Sequence, residues 1–276
     1  MGLRFAKGHG TGNDFLLLPD VEDRLELTAE FARALCDRHT GLGADGVLRV
    51  APAVGGGWFM DHRNADGSHA EMCGNGVRVL GRWLVDQGLA PAGALTVGTR
   101  GGDRALVVPA AGDVTVDMGP PALSGVEHTV SVGGSSWPGT AVDMGNPHVV
   151  VAVEDLGSLD LAGAPGVVPA FPRGVNVEFV RLDRPGALTM RVHERGVGET
   201  ASCGTGACAA VVAASLWTGT PRDTAWRVDV PGGRLGVTWT GETVLMTGPA
   251  VLLAHGEVSP AALGLAVPAA AAGTAA

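Results

Sequence analysis

Two cysteines of the 276-residue chain sit in matching glycine-rich surroundings, Met72-Cys73-Gly74-Asn75-Gly76 and Ser202-Cys203-Gly204-Thr205-Gly206. A helical run follows each, from about Gly74 to Asp86 and from about Gly204 to Trp217, so each thiol falls at a helix N-cap or first turn. Unpaired amides and the helix dipole favour a thiolate there and lower the thiol pKa. The following glycines let a ligand approach the backbone, and their amides can hold a carboxylate. Nearly the same spacing separates a second matched pair, Gly12-Asn13-Asp14 and Gly145-Asn146-Pro147. Two pairs at nearly one offset point to two copies of one unit, which is a tandem domain repeat and not a solenoid.

Two such domains would set the thiols facing each other across a cleft, one on each face of a planar centre. That arrangement suits removal of an α-proton from one side and its delivery from the other. One thiolate and one thiol would exchange states on each turnover. Amides clamping the carboxylate would also stabilise the charge that develops in the transition state. Cys36 and Cys208 read differently, as small buried hydrophobes. Cys36 lies on the apolar face of its helix, and Cys208 is five residues past Cys203, roughly 140° around the helix.

The elements that must position these groups are mostly short strands. The run from Leu3 to Leu18 reads as strand, glycine-rich turn, strand, and Thr28 caps a helix that ends before Gly41. Further β-like runs are Gly46–Val50, Trp58–Arg63, Ala94–Thr99, Ala105–Val108, Val114–Met118 and Val149–Val153. Later come Val175–Leu182, Ala187–His193, Trp226–Val230, Leu235–Thr240 and Thr243–Thr247. The expected fold is α+β: two pseudo-symmetric, β-rich, barrel-like domains, each with a central helix starting after its cysteine. The first domain spans residues 1–118 and the second 119–250, joined near Met118-Gly119-Pro120-Pro121. Residues 266–276 are a low-complexity tail expected to be disordered.

Composition removes several function classes. The formal net charge is −9, from 19 basic and 28 acidic residues, with no basic cluster to track phosphates, so no nucleic acid partner is expected. The longest nearly apolar run, Ala207–Trp217, is far short of the roughly 20 residues of a membrane span. The N-terminus lacks the apolar core of a signal peptide, so the expectation is a cytoplasmic protein with reduced thiols. Lys7 is the sole lysine, and a Schiff-base lysine is what PLP enzymes of the common type need. Gly41-Leu42-Gly43-Ala44-Asp45-Gly46 matches a dinucleotide-binding pattern, but it follows a helix and leads into a strand, the reverse of that site. His9, His62, His148 and His193 lack the short spacings of a structural zinc site, so no metal is expected. A Cys203–His193 hydrolase remains as an alternative, although it leaves the second cysteine helix unexplained.

Polar residues gather ahead of each cysteine, as Arg63-Asn64-Ala65-Asp66-Gly67 and His193-Glu194-Arg195-Gly196. Asn13, Asn146 and Asn176 sit in glycine-flanked or apolar surroundings. An isolated turn asparagine usually bonds its own backbone. An arginine fork with several amide side chains is also what recognition of a second carboxylate requires.

Together these motifs closely resemble the diaminopimelate epimerase family, over roughly Leu3 to Ser259. The resemblance rests on Gly8-His9-Gly10-Thr11-Gly12-Asn13-Asp14-Phe15, Arg63-Asn64-Ala65-Asp66-Gly67-Ser68 and Met72-Cys73-Gly74-Asn75-Gly76. It continues through Gly145-Asn146-Pro147-His148, Gly174-Val175-Asn176, Glu194-Arg195-Gly196-Val197-Gly198-Glu199-Thr200 and Ala201-Ser202-Cys203-Gly204-Thr205-Gly206-Ala207-Cys208, to Pro231-Gly232-Gly233. It implies PLP-independent interconversion of LL- and meso-diaminopimelate for lysine and peptidoglycan precursor synthesis, with Cys73 and Cys203 as the acid/base thiols. It further implies Gly74, Asn75, Gly204 and Thr205 against the reacting carboxylate, with Asn13 nearby. Asn64, Asn146, Asn176, Glu194 and Arg195 would hold the distal amino-acid end. No cofactor or metal, a homodimer, and a last strand near Val251–Val258 (within about 251–265) returning to the first domain are also implied. The chain departs from the family pattern at Gly46, where many members carry glutamine, and at His62 and His193, where tyrosine is common. A different two-cysteine racemase, or a non-catalytic β-barrel binding protein, are the other readings.

Overall fold

The computed structural model describes residues 2–265, and the tail 266–276 lies outside the described residues. The described residues divide into two compact units, 2–114 with 250–265, and 115–249. The joint expected near Met118 falls just inside the second unit. Met118 N–H donates to the Val244 carbonyl at 2.9 Å, and the Thr115 and Thr247 hydroxyls are 2.8 Å apart.

In the first unit, β1 (Leu3–Gly10) and β2 (Asn13–Pro19) form an antiparallel hairpin. Its two-residue turn, Thr11-Gly12, has positive φ at both positions (49° and 80°), the conformation that matches strand twist in tight hairpins. Helix α1 (Ala29–Cys36) starts at Thr28, whose hydroxyl accepts from Phe31 N–H at 3.1 Å. Strand β3 (Gly46–Pro52) runs parallel to β2, and β4 (Trp58–Asn64) returns antiparallel to β3. Helix α2 (Gly74–Asp86) then leads to β5 (Gly93–Gly98), parallel to β4, and to β6 (Arg104–Val108), antiparallel to β5. Leu16, Leu18 and Val47 pack on Phe31 and Leu35 of α1. Burial of each such side chain stabilises the unit by about 2 kcal/mol.

Strand β7 (Val114–Asp117) opens the second unit. A long hairpin follows, β8 (Ala122–Val132) and β9 (Ser135–Asp143), turning at Gly133-Gly134 with φ of 57° and 83°. Next are β10 (Pro147–Ala152), antiparallel to β9, and β11 (Gly166–Val168), antiparallel to β8. Strand β12 (Asn176–Arg184) is parallel to β10, and β13 (Ala187–Glu194) is antiparallel to β12. After β14 (Gly198–Thr200) comes helix α3 (Gly204–Thr218). Then β15 (Ala225–Val230) runs parallel to β13, with β16 (Gly233–Trp239) and β17 (Val244–Gly248) following antiparallel.

The pairing pattern makes the internal repeat explicit. β1-β2-β3-β4-α2-β5-β6 and β9-β10-β12-β13-α3-β15-β16 pair antiparallel, parallel, antiparallel, then parallel and antiparallel after the helix. The final strand, β18 (Val251–Val258), pairs antiparallel with β1, as β8 pairs with β9. It fills in the first unit the place that β8 fills in the second.

Each long helix is enclosed by strands. α3 packs against β9, β10, β12, β13, β15, β16 and β17, and every residue from Gly206 to Ser215 is buried. A helix that is apolar all round is stable only in such a setting. α2 meets β1, β2, β3, β5, β6 and β18. The architecture is therefore α+β, in two pseudo-symmetric halves.

Candidate active site

Both cysteines are N-caps, and their geometry is the same. Cys73 and Cys203 adopt extended backbone (φ/ψ −138°/116° and −113°/116°), and each Sγ accepts from the amide three residues on, Gly76 or Gly206, at 3.4 Å. A sulfur in this position takes the place of the usual serine or aspartate oxygen, and the amide stabilises negative charge on it. A Cβ on Gly76 would make ordinary contact with Leu48 at 3.4 Å, whereas Gly206 leaves no room for one. A Cβ on Gly206 would lie 2.6 Å from Glu178 Oε1.

In the first unit, Asn13, Cys73, Gly74 and Asn75 come together. Cys73 S–H donates to Asn13 Oδ1 at 3.8 Å, and Asn75 Nδ2 donates to the same oxygen at 3.3 Å. Asn75 Oδ1 in turn accepts from Thr11 Oγ1 (3.2 Å) and from Nη2 of the fully buried Arg78 (2.9 Å). Arg78 also donates to the Gly74 carbonyl at 3.2 Å, and Gly10 makes way for it, since a Cβ there would be 2.9 Å from Nη2. On the other side, Asn13 Nδ2 donates to Asp45 Oδ2 at 2.8 Å. Asp45 and Asp14 share Arg38 at 2.8 and 2.7 Å, and Asp14 also pairs with Lys7 at 3.1 Å. Burial pulls the Asp14 carboxyl upward, but Arg38 and Lys7 together hold it below the usual carboxylate range. Asn64 stands apart from this group. Its Nδ2 donates to Ser68 Oγ at 3.0 Å, the local bond a turn asparagine usually makes.

In the second unit, Cys203 is buried beside Thr205, whose Oγ1 lies 3.5 Å from Sγ, and close enough to Glu194 and Glu178 to feel their charges. Burial, then the charges of Glu194 and Glu178, raise the Cys203 thiol well above its ordinary value, outweighing the lowering by Thr205 and Gly206. Burial and neighbouring Glu178 likewise raise Glu194, against the hydrogen bond from the Thr200 hydroxyl. Asn176 Oδ1 accepts from Arg195 N–H at 2.9 Å, while its Nδ2 donates to the Pro147 carbonyl at 3.1 Å. Arg195 is exposed, with Nη1 donating to the Arg173 carbonyl at 3.4 Å. Asn146 Oδ1 lies 3.0 Å from His148 Nε2, and His148 Nδ1 lies 2.7 Å from Glu178 Oε1, both side chains fully buried. Among the described residues the hydrogen-bond partners of Cys203 are Thr205 and Gly206, and not His193, so these contacts lend a cysteine–histidine hydrolase no support.

Three groups here escape a reading of the sequence: Asp45, Arg78 and Glu178. Two of them leave a signal, since Arg78 is the one charge on the buried stretch of α2 before Arg82 and Glu178 is the one charge among the apolar Val177, Phe179 and Val180.

The family model for diaminopimelate epimerase matches residues 5–124 and 140–253. The diaminopimelate epimerase of Streptomyces coelicolor is 49% identical over 94% of this chain and 96% of its own. Those of Acidothermus cellulolyticus (46%; 94% and 97%) and Thermobifida fusca (47%; 95% and 100%) are similarly near. Among solved structures, a probable proline racemase from Agrobacterium radiobacter aligns with a TM-score of 0.73 at 16% identity, covering 96% of each chain. A hydroxyproline epimerase from Agrobacterium vitis aligns at 0.69 and 15%, covering 98% and 97%. Those two establish a shared fold. The twin thiol N-caps, the family match over both units and relatives near half identity agree, and the chain belongs to the diaminopimelate epimerase family.

Proposed function

We propose that this chain epimerises LL-diaminopimelate to meso-diaminopimelate with Cys73 and Cys203 as its acid/base pair, in lysine and peptidoglycan precursor biosynthesis. The observation that carries the reading is the duplicated thiol N-cap, the same sulfur–amide geometry built once in each unit. Inversion needs a thiol on each side of the α-carbon. One thiolate takes the α-proton, the other thiol returns one to the opposite face, and the two groups have then exchanged states. The first-turn amides of α2 and α3, at Gly74, Asn75, Gly204 and Thr205, would hold the α-carboxylate and stabilise charge spreading into it.

The surroundings of Cys203 support a division of labour. Buried beside two carboxylates, it rests as the thiol, ready to donate. In the direction where it must act as base, Glu194 is the nearby carboxylate that could take its proton, and a carboxyl raised by burial is the better base for that. Asn64, Asn146, Asn176, Glu194 and Arg195 would recognise the distal amino-acid end. The chemistry is written with thiols alone, because Lys7, the sole lysine, is held by the Gly43 carbonyl at 2.5 Å and by Asp14. No helix of the described residues is long and apolar enough to cross a membrane. A homodimer in the cytoplasm, with a small-molecule substrate and no nucleic acid partner, completes the proposal.

Incubation of the purified protein with LL-diaminopimelate in D₂O, without added PLP, tests it. NMR should show loss of one α-proton signal as meso product forms. Retention of both α-protons would refute the reading, and equal turnover of lysine or alanine would assign a different two-thiol racemase.

A further inference from the structure

The hydrogen bonds around Cys73 have a fixed direction. An amide side chain can present either its oxygen or its nitrogen to a neighbour, and its surroundings decide which. Here both ends of a two-amide relay are set by groups that have no choice. Arg78, which can only donate, takes Asn75 Oδ1 at 2.9 Å, so Asn75 must offer Nδ2 onward to Asn13 Oδ1 at 3.3 Å. Asp45, which as a carboxylate can only accept, takes Asn13 Nδ2 at 2.8 Å, so Asn13 must turn Oδ1 away from it. That oxygen lies 3.8 Å from Cys73 Sγ. Asp45 is itself fixed: Oδ1 takes Arg38 at 2.8 Å and Oδ2 also accepts the Asp14 N–H at 3.1 Å.

We infer that Asp45 is the positioning residue for Cys73: its carboxylate anchors the Asn13 side-chain amide so that a carbonyl oxygen, and not an N–H, faces the sulfur. Asp45 touches neither thiol nor reacting carbon and acts through Asn13. A carbonyl oxygen accepts from the protonated thiol and repels the thiolate, so the anchored amide opposes the pull of the helix N-terminus on Cys73 and keeps its two protonation states close in energy. Reversing the amide would do the opposite. The Gly76 N–H pulls toward thiolate, and the relay balances it. The inference rests on the reading of Cys73 as an acid/base group, but its test does not need turnover.

The test is the pH dependence of iodoacetamide alkylation at Cys73, resolved from Cys203 by peptide mass spectrometry, in wild type and Asp45→Asn. The isosteric amide can donate as well as accept, so it no longer dictates how Asn13 turns. The Cys73 midpoint should fall by about half a pH unit or more, making alkylation near neutral pH about threefold faster, with Cys203 unmoved. Asp45→Ser, which also lacks a fixed polarity, should shift Cys73 the same way and serves if the first variant fails to fold. Asp14→Asn removes a neighbouring charge from the same arginine while leaving the anchor, and should shift Cys73 less. An unmoved Cys73 profile in both Asp45 variants, or an equal shift with Asp14→Asn, would overturn the role given to Asp45. The D₂O experiment on wild type decides the epimerase reading separately.

Discussion

The His62 imidazole fills the space that a side chain at Gly46 would need. A Cβ on Gly46 would lie 2.8 Å from His62 Nε2 and 2.8 Å from the Arg63 carbonyl oxygen. The two residues are diagonal neighbours on β3 and β4, where Gly46 faces Asn64 and Leu48 faces His62. The two positions expected to depart from the family pattern thus meet at one point. Gly46→Ala should cost about 1–3 kcal/mol by overpacking. In a His62→Ala background the same change should cost at least ~0.5 kcal/mol less, because one of its two close contacts is gone. Urea midpoints for the four proteins of this cycle measure the coupling, and strictly additive values would show that the residues do not sense each other.

His62 also gives stability a pH dependence. It is buried, packs edge-on against Phe15 at 5.6 Å, and neither ring nitrogen has a hydrogen-bond partner among the described residues. Burial first, with Arg100 adding to it and Asp61 opposing, lowers its pKa from 6.5 to about 4. Between those values the unfolded chain binds a proton that the folded chain does not. Stability is therefore complete above pH 6.5 and lost as pH falls toward 4, by up to about 3 kcal/mol. Thermal melts across this range should fall less steeply for His62→Phe than for wild type. Parallel curves would show that His62 stays uncharged for no thermodynamic gain.

Each thiol of the proposed acid/base pair is also a structural cap, and serine separates the two roles. Cys73→Ser and Cys203→Ser keep an N-cap acceptor and should melt within a few degrees of wild type. Epimerisation should fall by about a hundredfold or more, because a hydroxyl near neutral pH is a far weaker acid and base than a thiol. Alanine at either position should add the loss of the cap, about 0.5–2 kcal/mol. Cys36→Ser is the contrast: burial, with Asp14 and Asp45 nearby, pushes that thiol up to about 12, and its loss should cost stability while leaving turnover intact. A Cys73→Ser protein with normal turnover would end the two-thiol reading.

Legibility in the sequence followed locality. α2, α3 and their thiol caps are readable because cap, glycines and apolar run are adjacent in the chain. Most strands are readable from short apolar runs between glycines. The β8–β9 hairpin is not, because Ala122 to Glu127 are all exposed and show no alternation, although its Gly133-Gly134 turn carries a hairpin signal. The three-residue strands β11 and β14 are too short to leave a pattern. The partners that tune the thiols are hidden for another reason. Asn13 meets Asp45 across 32 positions and His148 meets Glu178 across 30, a pairing that only the sheet register creates. Asp45 is further masked by the glycine run around it, which reads as a loop motif.

Glu178 offers a test of what sets the Cys203 thiol. Its side chain is fully buried, with Oε1 beside His148 Nδ1 at 2.7 Å, while Oε2 has no partner among the described residues. A carboxylate in that position is costly to bury, and its charge reaches both Glu194 and Cys203, raising each. Glu178→Gln keeps the shape and removes the charge. Stability should fall by about 2–4 kcal/mol, because His148 loses its charged partner in a closed interior. The Cys203 thiol should nevertheless become more acidic, since one of two nearby carboxylates no longer opposes its ionisation. Alkylation midpoints read this directly: Cys203 should move down in pH while Cys73 stays. Burial would still hold Cys203 above an ordinary thiol, because desolvation is the largest contribution. If the Cys203 midpoint does not move, burial and Glu194 alone hold its proton, and the buried Glu178 serves only to fix His148 and, through it, Asn146.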